Sequence, residues 1–361
     1  MIRIIDRYIT RKFFAILLYN ILAFVVIFVI VDLIENLDKF LSHHAAFGDV
    51  IVYYIYYIPF IIILTLPVCM LLSSLFSIGS MAQNNEIIAI QSSGVSLYRI
   101  IWPVLILGVV VSVLSGIGGE TVVPRANRAR LDLMRYRIKK ETRQIKTAQN
   151  QLAVQDGKDR QIYIQFYEAA KEKAHKVNIL WIKNDRIVHR LDARFMVWDK
   201  KQEQWNLLQV TERIFTDTSE VVRYHDKLAY SDSHIKPDEL IDLKIKPEEM
   251  NYAELNRFVD KMIALGANAR KWLVDLYMKI SYPFANFIIV LFGAPLAARK
   301  RRSGPALGFA LALLISFVYF LFLRTGQVLG HKGDLEPWIA SWIGNIVFGV
   351  GAIILMIKVK K

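Results

Sequence analysis

The chain has 361 residues, is 54% hydrophobic, and carries 46 Lys and Arg against 32 Asp and Glu, for a net charge of +14. Long uncharged runs set it among integral membrane proteins with room for one additional soluble domain, so the basic excess points to anionic lipid and the positive-inside bias rather than to nucleic acid. Its single cysteine, Cys69, excludes an intramolecular disulfide and a thiolate metal cluster, and its seven histidines show no ligand spacing, the adjacent pair His43 and His44 included.

Met1 to Lys12 carries Arg3, Arg7, Arg11 and Lys12, and Phe13 to Val31 follows without charge. Fifteen of those nineteen residues are Ile, Leu, Val or Phe. At roughly −0.4 kcal/mol each they favour insertion by about 6 kcal/mol, which outweighs Asn20. The apolar core is too long for a cleaved signal peptide. Leu33, Ile34, Leu37 and Phe40 continue at helical spacing, so the helix is expected to run on past the bilayer. A second span begins near Val50 with a belt of tyrosines at 53, 54, 56 and 57, and carries Pro59 and Pro67, which argue for a kinked helix packed against protein neighbours.

Between Val50–Asn85 and Ile100–Gly119, two stretches free of Asp, Glu, Lys and Arg, lies a short polar island, Met81 to Arg99. It reads as a turn-around at one membrane face holding a short helix near 84–94. Asn84 or Asn85 would accept from its first turn, Glu86 would sit at its positive end, and Gly94 would stop it. Ile87, Ile88 and Ile90 then form an apolar patch, either lying on headgroups or serving as a docking peg for a soluble partner. Arg99, at the start of the third span, is expected to anchor to headgroups.

Further spans are expected at Ile280–Ala298, Ala306–Leu323 and Trp338–Ile357. Six spans leave both termini on one side. The short segments there hold twelve Lys and Arg, including the turn Arg299 to Arg302, against three (Lys39, Arg324, Lys332) in the short opposite loops. The termini and the island are therefore expected in the cytoplasm, and Glu120 to Lys279 outside. That outer stretch opens with a cationic helix (Leu131, Met134 and Ile138 recurring at three and four) and changes to a period of two from Gln151. Ile162, Ile164 and Phe166 alternate with polar residues. Lys176–Lys183, Arg186–Leu191, Arg194–Trp198, Trp205–Val210 and Glu220–Tyr224 are further strands, with Asn184-Asp185 and Asp199–Gln204 as turns. Such spacing means a sandwich or jelly roll. Pro237 and Pro247 mark an exit linker, and Tyr252–Leu265, closed by Gly266, reads as a helix returning to the membrane. The expected domains are 1–123, three spans with the island; 124–270, a β-jelly-roll domain with flanking helices; and 271–361, three spans.

This order of elements, with Ile5-Asp-Arg-Tyr-Ile9 at the start, Asn85-Glu-Ile-Ile-Ala-Ile-Gln-Ser-Ser-Gly94 in the island and Met278-Lys-Ile-Ser-Tyr-Pro283 near the fourth span, resembles the lipopolysaccharide-export permeases of the LptF/LptG type. The Asp-Arg-Tyr start leans toward the LptG paralogue. The resemblance implies a non-enzymatic half-transporter in the bacterial inner membrane, paired with a paralogous permease. A cytoplasmic LptB-like ATPase dimer would grip the island, and the β domain would lie in the periplasm, joining LptC-like and LptA-like jelly rolls in a bridge that carries lipopolysaccharide. ATP and magnesium would be bound by that partner, since the chain has no G-x-x-x-x-G-K-[ST] loop. Glu86 matches the family's coupling glutamate, with Ile87, Ile88 and Ile90 beside it. Lys39 matches one of the family's cationic positions on the first span, while Asp32 stands where LptG-type members have another lysine. Arg125, Arg128, Arg130 and Arg135 could take over lipid-phosphate contacts, because guanidinium forks suit phosphate, or could instead face headgroups or a partner. Ile162, Ile164 and Phe166 would line an acyl-chain groove. A permease for another anionic lipid is one alternative. A lipid-modifying enzyme is another, with Asp32, Glu35, Asp38, His43 and His44 its only candidate residues.

Overall fold

All six apolar runs become helices in the computed structural model of the chain, which describes residues 4–139, 148–157, 159–183, 186–216, 219–231, 233, 235–237, 240, 249–264, 268–298 and 305–358. Helix α1 spans Ile4–Ser42, α2 Phe47–Gln83, α3 Glu86–Ser92 and α4 Leu97–Leu133, which runs into a π-turn at Met134–Ile138. Strands β1 to β6 follow (Ala148–Gln155, Arg160–Glu168, Lys173–Lys183, Arg186–Asp199, Gln204–Phe215, Glu220–Tyr230), then α5 Tyr252–Ala264, α6 Arg270–Ala297, α7 Pro305–Lys332 and α8 Pro337–Lys358. Among the described residues, α1, α2, α4, α6, α7 and α8 are long and apolar enough to cross a membrane. The helix over Leu33–Phe40 continues α1 unbroken to Ser42, as its spacing predicts. The Arg299–Arg302 turn, Asn184-Asp185, Pro247 and Leu265-Gly266 lie outside the described residues. The chain separates into a helical unit and a sheet unit, with α5 divided between them after Leu255.

In the helical unit α2 packs against α1, α4, α6 and α7. Lipid tails are as apolar as leucine, so helices associate in the bilayer through close packing and hydrogen bonds rather than by escape from water. Three buried side chains show such hydrogen bonds. Asn286 Nδ2 donates to Ser115 Oγ at 2.9 Å, Asn345 Nδ2 to the Ser281 carbonyl at 2.7 Å, and Tyr319 OH to Asn345 Oδ1 at 2.8 Å. At Gly293 a Cβ would meet Leu71 Cδ1 at 2.5 Å, so α6 approaches α2 through bare backbone. Pro59 and Pro67 lie inside α2.

The six strands of the sheet unit pair antiparallel in sequence order, a plain meander. Where two strands were expected at Arg186–Leu191 and Arg194–Trp198, one fourteen-residue strand, β4, runs straight through. Each ladder skips one rung: Gln151 opposite Gln165, Gln165 opposite Lys176, Lys176 opposite Arg194, Arg194 opposite Gln209, and Gln209 opposite Asp226; the β3–β4 ladder also shifts register between Trp181 and Ile182. The skipped rungs line up across all six strands, with Lys176 and Gln209 at left-handed φ of 49° and 51°. Core-facing residues accordingly slip from a spacing of two to three as each strand crosses the line: Ile164 to Tyr167, Ala174 to Val177, Ala193 to Met196, Leu207 to Val210. A crease therefore runs through the sheet. Ile235 and Leu240, beyond β6, insert into the same core, and Trp205 Nε1 and Tyr167 OH donate to the carbonyls of Ile235 and Pro237 at 2.7 and 3.3 Å. Pro237 thus belongs to the core's cover rather than to a free linker.

Candidate functional site

The polar island is built as a short helix held at both ends. α2 stops at Gln83, and Asn85 takes a left-handed φ of 60°, which turns the chain so that its carbonyl accepts the Ala89 N–H at 3.0 Å. Neither asparagine caps α3 with its side chain in the expected way: no cap bond forms at Asn85, and Asn84 Nδ2 donates instead to Glu86 Oε1 at 3.2 Å. At the far end the Ser92 and Ser93 hydroxyls donate to the Ala89 and Ile90 carbonyls at 2.8 and 2.7 Å, and Gly94, at φ 87°, ends the turn as predicted.

The three isoleucines do not form one exposed patch. Ile87 is 3% exposed and packs in a cluster with Ile9 and Phe13 of α1, Met81 of α2 and Leu97 and Ile100 of α4. Ile90 is partly buried against the same cluster, and only Ile88, 53% exposed, faces outward. A seven-residue helix with Ile88 and Glu86 outward and Ile87 inward has one face for its own scaffold and one free for a partner. Burying Ile87 stabilises that seating by about 2 kcal/mol.

Glu86 is engaged on both carboxylate oxygens: Tyr8 OH donates to Oε2 at 3.0 Å, Asn84 holds Oε1, and Lys12 Nζ lies 3.7 Å from Oε1. Its side chain keeps 28% of its surface exposed. Arg99 does not turn to headgroups as expected; its guanidinium pairs with Asp6 at 2.6 Å. A carboxylate in the first turn of a basic helix is a stronger partner for a cation than bulk water at the interface, and Asp6 is 15% exposed. Asp6 and Tyr8 were legible only as part of the Ile5–Ile9 resemblance, with no role attached. The usable signal was topological: even numbers of crossings put Asp6, Glu86 and Arg99 at one membrane face.

The cationic residues at the other end of the spans are mostly occupied. Arg128 donates to the Glu249 carbonyl at 2.7 Å and pairs with Glu254. Glu254 in turn completes a capping box with Asn251, each side chain accepting the other's backbone N–H at 2.9 and 3.0 Å, which starts α5. Arg135 lies 3.9 Å from Glu249, and Arg130 stacks over the rings of Tyr57 and Tyr53 at 4.1 and 5.5 Å. Lys39 donates to Asn36 Oδ1 at 2.6 Å yet stays exposed, as does Arg125. Of the five, Lys39 and Arg125 are the ones most open to an incoming anion. Asp32 accepts from Tyr54 OH at 3.1 Å.

In the sheet unit Ile162 and Ile164 are each 1% exposed, within a filled core. Phe166 does not share their face: the crease after Ile164 turns it to the opposite side, where it stacks edge-on against His175 at 5.4 Å. An acyl chain would reach Ile162 only if the sheet opened. A depression of about 910 Å³ is lined by Ile164 together with Tyr163, Gln165, Lys176, Asn178, Arg190 and Arg194. Beyond the crease, Glu212 bridges His189 and His225, 2.9 Å from each Nε2, and those bonds, His225 foremost, hold its carboxyl below the usual glutamate value of 4.5.

Known proteins resemble the chain along nearly its whole length. It is 22% identical over 328 residues to the lipopolysaccharide export system permease protein LptG of Escherichia coli (strain K12), covering 91% of this chain and 89% of that one. With the LptG of Haemophilus influenzae (strain ATCC 51907 / DSM 11121 / KW20 / Rd) it shares 20% identity over 357 residues, 98% and 94% of the two chains. The LptF of Escherichia coli (strain K12) matches at 30% over 81 residues, 22% of each. The family described as lipopolysaccharide export system permease LptF/LptG matches residues 7–358, a range that holds Glu86, Arg99, all six strands and the six long helices but for the first three residues of α1, and the chain belongs to that family.

Proposed function

We propose that the chain is an LptG-type transmembrane subunit of an exporter that draws lipopolysaccharide from the outer leaflet of the inner membrane and passes it to a periplasmic bridge. A cytoplasmic LptB-like ATPase docks on α3, an LptF-like permease completes the cavity, and the β domain joins LptC-like and LptA-like partners. The assignment to the G side is supported by relatives named LptG that match along most of the chain, against an LptF match over 22% of it. The orientation is supported by the twelve-to-three charge bias, which puts the termini and α3 in the cytoplasm.

The observation that carries the reading is α3 itself: a helix seated by Ile87 that leaves Ile88 and a two-sidedly held Glu86 toward solvent. A partly desolvated interface charge is worth roughly 2 kcal/mol or more, a factor of about thirty in affinity. Glu86→Ala is expected to insert and fold, yet to lose co-purifying ATPase and lipopolysaccharide release from vesicles, whereas Arg11→Ala, on an exposed part of α1, keeps both. Normal ATPase binding with normal release in Glu86→Ala removes the coupling role. For orientation, cysteines at 86 and 201 in a chain with Cys69 replaced should differ, with only position 201 labelled by an impermeant thiol reagent applied from outside.

A further inference from the structure

The first turn of α1 touches α3 and its flank at two separate points. Tyr8 OH lies 3.0 Å from Glu86 Oε2, and the Tyr8 hydroxyl also accepts from Lys12 Nζ at 3.3 Å. Thirteen residues beyond Glu86, Arg99 at the start of α4 pairs with Asp6 at 2.6 Å. Between the two points, Ile9 and Phe13 pack in one cluster with Ile87 and Leu97. We propose that this turn is a two-point clip: Tyr8 orients the Glu86 carboxylate toward a docking ATPase, and the Asp6–Arg99 pair fixes the island to α1, so that a push on α3 is delivered to the first span.

The physical case is one of hinges. α3 is joined to α2 through a left-handed Asn85 and to α4 through a left-handed Gly94, and a seven-residue helix between two such turns would swivel if its side chains did not hold it. The clip closes both sides of that swivel. With Asn84 on Oε1 and Tyr8 on Oε2, the carboxylate plane is fixed while its outer edge stays exposed, the preorganised state a partner binds without first ordering the group. α1 packs on α2 and α4 and has little else to hold it within the unit, so it is the span most easily carried along.

The inference rests on the coupling role of Glu86 and extends it to Asp6 and Tyr8 as positioning residues. Its test uses the whole exporter in lipopolysaccharide-loaded vesicles, reading lipid released per ATP hydrolysed. Tyr8→Phe removes a single hydroxyl from an exposed side chain and is expected to lower that ratio about fivefold, the worth of one hydrogen bond. Asp6→Arg and Arg99→Asp should each lower it, and the exchanged pair Asp6→Arg with Arg99→Asp should recover most of it, which a residue merely anchoring to headgroups would not do. An unchanged ratio in Tyr8→Phe overturns the orienting role of Tyr8. Single reversals without effect, or an exchange no better than either single, overturn the ionic point. Should the reversals fail to insert, Tyr8→Phe alone decides. Loss of release in Glu86→Ala with a silent Tyr8→Phe sinks the clip and spares the coupling role, and a silent Glu86→Ala sinks the coupling role itself.

Discussion

Helices α1 and α2 look alike as sequence, with mean hydropathy of 3.0 and 2.4 over their most apolar stretches, yet 6% of that stretch is buried in α1 and 78% in α2. Hydropathy reports the solvent, and in a bilayer it says nothing about which apolar helix is central. What separates the two is small and polar content. α2 carries Thr65, Ser73, Ser74 and Ser77 on buried positions, three of them donating to carbonyls one turn back (Thr65 at 2.9 Å, Ser73 and Ser77 at 2.6 Å), which lets neighbours approach closely. α1 instead exposes Leu18, Leu22 and Ile27.

The contrast breaks most readily by truncation. Leu72 in α2 is fully buried and Leu22 in α1 is 61% exposed. Leu72→Ala should lower stability in a detergent-unfolding titration by about 2 kcal/mol, the low end of the soluble range because only the packing and cavity part survives in lipid. Leu22→Ala should stay within about 0.5 kcal/mol. Equal losses would mean that α1 is packed after all. Filling the space at the α2–α6 approach comes next. Gly293→Val drives a side chain into Leu71 and Ser74 and should cost about 1–2 kcal/mol in the same titration, while Gly48, with open space around it, should accept Ala at little cost. The smallest effect tests a polar tie between the two helices, Asn20 Nδ2 to Ser73 Oγ at 3.2 Å. Asn20→Leu should cost about 0.6 kcal/mol, the average for such a bond in a membrane protein; a stabilised protein would show that Asn20 is retained for something other than packing.

The spans, the island and the existence of a β domain were legible because each is local. Nineteen residues of Phe13–Val31 or the charge step at Met81 carry their meaning without reference to distant chain. The pairing of Arg99 with Asp6 spans 93 positions and has no period, so Arg99 alone reads as a headgroup anchor. The same holds for Arg128, whose partners Glu249 and Glu254 lie more than a hundred residues on. Alternation along β2 correctly put Ile162 and Ile164 on one face and failed at Phe166, since a slip in period at one rung is visible only when the neighbouring strands slip beside it. The exposed trio of isoleucines in the island failed for a related reason: a seven-residue helix shows its pattern, but which side meets the scaffold is set by Ile9 and Phe13 of α1.

That alignment of slips constrains how such a domain can drift over evolutionary time. A residue inserted or deleted within any one of the four inner strands would shift its half of the core face past the crease while its neighbours stayed put, exposing one row of apolar side chains and burying a polar one. Only a change made in step on adjacent strands would keep the fold line straight. Length variation in this domain is therefore expected in its hairpin turns, and two homologues of unequal length should still superpose strand for strand along the line from Gln151 to Asp226.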